Sequence, residues 1–317
     1  MTNNKVTIKD SWRLLKETFN SWNDDDPFDL SASVAYYAIF SLPALLIIII
    51  TIAGAVLGRE AVQGKISEEI GRMIGKNAGE DIQTMISNAY KSSNSVISTI
   101  IGVATLLLGS TGVFLQLQKS LNKIWQVKTD PSKSGIKKLV LDRATSLGII
   151  VAIGFMLLIS LVVTTTLSAL SAWISAKLPD AFLYLFYIVN FLITFSITSF
   201  LFAIIYKVLP DVKIPWKNVW IGALVTGLLF EIGRFSLGLY FGKSDPGSTY
   251  GAAGSVILIL LWVNYSCLIL FFGAEFTKVY AINTGHPIIP SETAVKVETQ
   301  EKVVPDNKKL EVEKQRK

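Results

Sequence analysis

Glu231 and Arg234 stand three residues apart inside an apolar block that runs from Trp216 to Gly242. That spacing places both on one helix face, where each can neutralise the other. A charge at mid-bilayer costs about 2.5–3.5 kcal/mol or more unless it finds a partner or water. The pair therefore reads either as a structural ion pair or as a site for a substrate, with Glu231 or Glu275 a candidate ion or proton carrier. Gly227 and Gly238 extend the same face and admit a close helix, water or a head group. Glu275 is a second acid, towards the end of the block 253–280, where nearness to the interface predicts solvation and a structural role. Asn264 precedes it by eleven residues and falls on nearly the same face. Two further stripes are polar: Ser160, Thr164, Ser168 and Ser171, then Asn190, Thr194 and Thr198. They could line a polar interior, although hydroxyls and glycines in membrane helices are more often packing devices.

Other chemistry has little material. The one histidine, His286, lies past the last apolar block, so histidine metal clusters and Ser-His-Asp triads cannot be assembled. No phosphate-binding or dinucleotide glycine fingerprint occurs. Cys267 is the single cysteine, so no intramolecular disulfide forms. The chain is expected to be no enzyme, with no catalytic residue, metal or cofactor. Its net charge of +6 does not gather into a basic patch with interleaved aromatics, which argues against a nucleic-acid partner.

The elements that must position these groups follow from the distribution of apolar residues. Half of the chain, 51%, is apolar and 17% is charged, against roughly a quarter charged in soluble domains. The apolar residues form uninterrupted blocks near the ~20 residues a helix needs to cross a bilayer. This predicts an all-α polytopic membrane protein, a bundle of six transmembrane helices over about 34–57, 96–117, 146–173, 182–206, 216–242 and 253–280. Pro43 predicts a kink in the first. Residues 1–33 are an amphipathic amino-terminal segment, with Trp12, Leu15, Phe19 and Trp22 opposite Arg13, Lys16 and Glu17, lying on the membrane surface or on the bundle. The acidic run Asp24 to Asp26 and the absence of a small-residue cleavage site argue against a signal peptide. Segment 58–95, with five basic and five acidic residues, predicts two amphipathic helices outside the membrane, separated by residues 75–79. Residues 284–317 read as a charged, disordered tail beyond Pro290. With the amino terminus inside, 22 Lys and Arg fall on the cytoplasmic side and 7 on the other, which orients both termini to the cytoplasm.

Several motifs add a resemblance. Leu30 to Pro43 (LSASVAYYAIFSLP), Leu121 to Trp125 (LNKIW), Leu209 to Lys213 (LPDVK), Tyr250 to Gly254 (YGAAG), Leu261 to Tyr265 (LWVNY) and Phe272 to Glu275 (FGAE) occur in this order. The chain resembles the YihY/virulence factor BrkB family over about residues 25–285. The resemblance implies a six-helix bacterial inner-membrane protein, and its patterned positions here are Asp29, Tyr36, Tyr37, Pro43, Trp125, Pro210, Tyr250, Gly251, Trp262, Gly273 and Glu275. An older family label, ribonuclease BN, finds no support in these residues. The expected function is a transporter or translocator of an ion, lipid or envelope component, and the rival is a non-transporting scaffold in envelope assembly. The expected partners are membrane lipids and an unidentified substrate or ion, with a homo-oligomer left open.

Overall fold

A computed structural model describes residues 8–91, 111–132, 180–244 and 253–298, with a few positions between 135 and 149. Helix α1 (Ile8–Asp24) turns at Asp26, whose φ of 53° is left-handed, into α2 (Pro27–Leu57). Pro27 suits the first helical turn because its missing N–H would have no partner there. Past Pro43 the axis of α2 bends by 47°, the consequence of a lost backbone hydrogen bond. Next come α3 (Arg59–Ile74) and α4 (Lys76–Lys91), joined at Gly75, whose φ of 110° favours glycine. The break between them is thus one residue wide, and Lys76 to Gly79 are helical.

Helix α5 (residues 111–124) leads into strand β1 (Val127–Thr129). Then follow α6 (Asp180–Val208), β2 (Val212–Lys213), α7 (Trp216–Ser244), α8 (Gly254–Asn283), β3 (Ile289–Pro290) and β4 (Ala294–Lys296). Among the described residues three stretches are long and apolar enough to cross a membrane: Ile188–Val208, Trp216–Tyr240 and Gly254–Asn283. The bent α2 makes a fourth if its two parts count as one span. The expected spans 96–117 and 146–173 lie mostly outside the described residues, as does the stripe Ser160 to Ser171. Six crossings are therefore not all on view.

Two apolar cores hold the helices. One joins α5, α6, α7 and α8 through Leu121, Ile124, Trp125, Tyr206, Ala223 and Phe271. The other seats the α3–α4 hairpin, through Val62, Ile82 and Ile86, on Leu46 and Ile50 of α2 and Leu258 and Ile259 of α8. The cores mark the two ends of the bundle, because α2 leaves α1 at one end and meets the hairpin at the other.

Residues 291–298, part of the segment expected to lack structure, depart from that expectation. Strand β4 pairs antiparallel with β1 (Val127 opposite Lys296), and β3 pairs with β2 (Val212 opposite Pro290). Asp211 ties these ribbons together. Its N–H donates to Asn122 Oδ1 at 2.9 Å, its carboxylate accepts from Asn122 Nδ2 at 3.0 Å, and its carbonyl accepts from the Ser291 N–H at 2.9 Å. Main-chain pairing with two loops supplies what the segment's own side chains cannot, namely partners for its backbone.

Candidate functional site

Helix α7 presents its small residues inwards, and α8 answers in kind. A Cβ on Gly222 would strike Thr277, and one on Gly273 would strike Thr226 and Tyr206. Each helix thus carries a glycine and, four residues on, a threonine, and each threonine fills the other helix's glycine gap. Thr226 Oγ1 donates to Gly222 O and Thr277 Oγ1 to Gly273 O, both at 2.7 Å, so the buried hydroxyls are satisfied without a ligand. Tyr206 of α6 joins them, donating to Leu270 O at 2.7 Å and lying 2.9 Å from Thr226 Oγ1. This close approach is the reason for glycine at the motif position Gly273. A Cβ on Gly238 would meet nothing within 4 Å, so no close helix approach is seen there among the described residues.

On this rigid pair of helices sits the first charged group. Arg234 Nη2 lies 2.8 Å from Glu231 Oε2, with side chains 36% and 7% exposed respectively. Thr198 of α6 donates to Glu231 Oε1 at 3.5 Å, and Gly227 receives Ser199 and Phe195 of the same helix. The pair therefore faces the α6–α7 seam, and the glycine serves close helix approach. Glu231 sits among packed helices, while the arginine is only half covered.

A second charged group lies towards the carboxyl-terminal end of α8. Glu275 is fully buried, which corrects the expectation that it is solvated. Covering it are α1, which packs along α8, and the end of α5, whose Trp125 indole donates to Ala274 O at 3.0 Å. Lys278 Nζ lies 2.8 Å from Glu275 Oε1 and 3.8 Å from Asp25 Oδ2, and donates to Ile124 O at 2.8 Å. Asp25 belongs to the turn between α1 and α2, outside the spans. Burial raises its carboxyl above the ordinary value of 3.8, against the opposing pull of Lys278 and Lys123. Lys123 in turn donates to Asp25 O at 3.1 Å and lies 3.4 Å from Asp26 Oδ2. One lysine thus fastens α8 to α5 and to the α1–α2 turn.

Asn264 joins neither group. Its Nδ2 donates to Ser31 Oγ of α2 at 3.0 Å, and Ser31 donates to Phe28 O at 3.0 Å. Glu231, Glu275 and Asn264 share no polar partner among the described residues, so the expected single polar interior resolves into three places. The motif positions fall elsewhere again. Tyr36 and Tyr37 are exposed on α2, Tyr36 packing edge-on against Phe40, and Asp29 is exposed in its first turn. Pro210 is buried beside Asp211, and Trp262 packs edge-on against Phe230 at 6.0 Å. Tyr250 and Gly251 lie outside the described residues. Sequence reading missed Lys278, although its spacing from Glu275 repeats that of Glu231 and Arg234. It also missed two acids in loops, Asp211, whose partner Asn122 lies 89 residues away, and Asp25, whose partner is on α8.

Long apolar helices with paired charges between them define an all-α membrane protein. The model for the family described as Virulence factor BrkB matches residues 18–294, and the chain belongs to that family. It is similar to a UPF0761 membrane protein of Alteromonas mediterranea, 25% identical over 80% of this chain and 83% of the relative. A UPF0761 membrane protein of Teredinibacter turnerae is 28% identical over 84% of this chain and 60% of the relative. One of Psychrobacter is 26% identical over 88% of this chain, which spans only 50% of that relative's length. The kinship supports a bacterial membrane location. No solved structure matches the chain.

Proposed function

We propose that the protein moves an ion, a lipid or an envelope component across the bacterial inner membrane, and is not an enzyme. The observation that carries this reading is the Glu231–Arg234 pair, two charges held within a stretch apolar enough to span a bilayer. Ionisable groups at that depth are costly, and they mark pathways and relays for ions and polar substrates. The rigid glycine–threonine packing of α7 on α8 supports it, since a moving or gated seam needs a firm wall to work against. The excess of Lys and Arg supports a topology of six crossings with both termini in the cytoplasm. The gathering of α1, β1 to β4 and the α6–α7 loop at one end of the bundle is consistent with that orientation. The test is flux in proteoliposomes. Wild type should move at least one candidate ion or lipid, and Glu231→Gln and Arg234→Ala should each slow it at least about tenfold. If neither variant changes a measurable flux, the pair is only structural.

A scaffold role is the second reading, favoured by the α3–α4 hairpin. It is fixed to the spans through apolar packing and the Ser255–Asp81 hydrogen bond, and it leaves Glu80, Gln83 and Thr84 outward. Replacing those three outward residues by lysine should abolish crosslinking to envelope partners under this reading and leave flux intact under the first.

A further inference from the structure

The guanidinium of Arg234 has five N–H donors. Its one polar partner among the described residues is Glu231. Most of the donors are therefore left without an acceptor, in a side chain 36% exposed on a span. Unsatisfied donors in hydrocarbon cost several kcal/mol each. A lysine or arginine usually escapes by stretching towards the nearer interface. Arg234 does not: it reaches back one turn to Glu231, in the amino-terminal direction, and so away from the nearer, carboxyl-terminal end of α7. Its forked face is held at depth, open on one side.

Helix α6 supplies a complementary wall. The contacts Thr198–Glu231 and Ser199–Gly227 fix α6 and α7 antiparallel in register. One turn further along α6 is Thr194, which this register brings to the level of Arg234, and Asn190 follows a turn beyond. Both are half-buried, and neither side chain has a hydrogen bond among the described residues. Asn190, Thr194 and Thr198 thus form a ladder of neutral polar groups leading from the α6 amino-terminal end to the arginine. Hydroxyl and amide donors beside a guanidinium fork match the several oxygens of a phosphate group, and the fork favours two of them at once.

We infer that the α6–α7 seam at Arg234, lined by Asn190, Thr194 and Thr198, binds a phosphate-type oxyanion, borne by a lipid head group or as inorganic phosphate. This deepens the transport reading and rests on it for the membrane depth of the seam. Glu231 is then the internal counter-ion that occupies Arg234 while the seam is empty, and an incoming oxyanion competes with it.

That competition fixes the sign of the test. Full-length protein in a phosphate-free neutral detergent is titrated calorimetrically with inorganic phosphate and, separately, with dihexanoyl phosphatidylglycerol. Wild type should bind at least one probe saturably, R234Q should weaken that binding at least about tenfold, and E231Q should tighten it by a similar factor. Binding of the lipid alone assigns a head group, binding of phosphate alone assigns the free anion, and binding of both assigns the phosphate group itself. The charge-free E231Q/R234Q variant removes both ions together and should fold where R234Q does not; its failure to bind supports the inference just as weakened binding by R234Q would. The inference is overturned if neither probe saturates the wild type, if the arginine-free variants bind like wild type, or if E231Q weakens binding. Flux that depends on Glu231 without oxyanion binding would sink this inference and leave the transport reading standing. Binding without any flux would do the reverse.

Discussion

Replacing Lys278 by methionine tests the second charged group most severely. The lysine faces a fully buried carboxylate at 2.8 Å and a half-buried one at 3.8 Å, and is itself 12% exposed. Methionine keeps the length and removes the charge, which strands Glu275 and Asp25 beside each other. Breaking a buried pair from one side costs about 3–5 kcal/mol, because the remaining charge keeps its desolvation penalty and loses its partner. By the scaling of soluble domains of 150–250 residues, that is a fall of roughly 6–20 °C in apparent melting temperature. The companion change Glu275→Gln should recover most of this loss, since a neutral amide beside a thioether buries no unpaired charge. The assay is thermal unfolding of the detergent-purified protein, followed by loss of the monodisperse peak, for wild type, both single variants and the double. Asp25 adds a pH signature. Its folded pKa is raised above 3.8, so its protonated form favours the fold, and that contribution is lost as pH rises through the raised value. Removing Lys278 takes away the opposing pull and widens the window, so Lys278→Met should be more damaging at pH 8 than at pH 5. A loss under about 1 kcal/mol, or a double variant as unstable as the sum of the singles, would refute the reasoning.

The interlocked helices make a second prediction: Gly222→Ala should destabilise by about 1–3 kcal/mol, and Thr277→Ala, which removes the obstructing hydroxyl and methyl, should restore most of it in melting experiments. Asp211→Ala should cost about 1–3 kcal/mol by leaving Asn122 partly unpaired, and hydrogen exchange at residues 289–297 should accelerate well before the spans loosen. On α1, Leu14→Ala should cost about 2–5 kcal/mol because that side chain is buried. Trp12→Ser should leave the stability within about 1 kcal/mol of wild type, since the ring is 74% exposed, while reducing quenching of tryptophan fluorescence by brominated lipids.

Much of the helical architecture is legible without coordinates, because a bilayer imposes its requirement on each segment separately. A stretch such as 254–283 must be apolar along its length and hydrogen-bonded within itself, and both demands are local. The same holds for the Pro43 bend and for the two amphipathic helices flanking Gly75. Glu231 and Arg234 are likewise visible as a pair, because i, i+3 spacing brings them together within one helix whatever surrounds them.

Other features depend on distance in space that spacing along the chain does not encode. Nearness to a predicted span end suggested water around Glu275, yet α1 and Trp125, both remote along the chain, close over it. Residues 291–298 have too few apolar side chains to fold alone, and they are ordered by main-chain pairing with a loop that no composition rule connects to them. Asn264 turned to Ser31 of α2 rather than to Glu275, the acid on its own helix. The sequence by itself determined which segments are helices, that they belong in a membrane and which charges could pair within one turn. Only the tertiary structure decided which polar groups are covered, which helix answers each glycine, and that Arg234 keeps an open face. Hydropathy acts residue by residue, whereas burial and pairing are properties of the whole packed assembly.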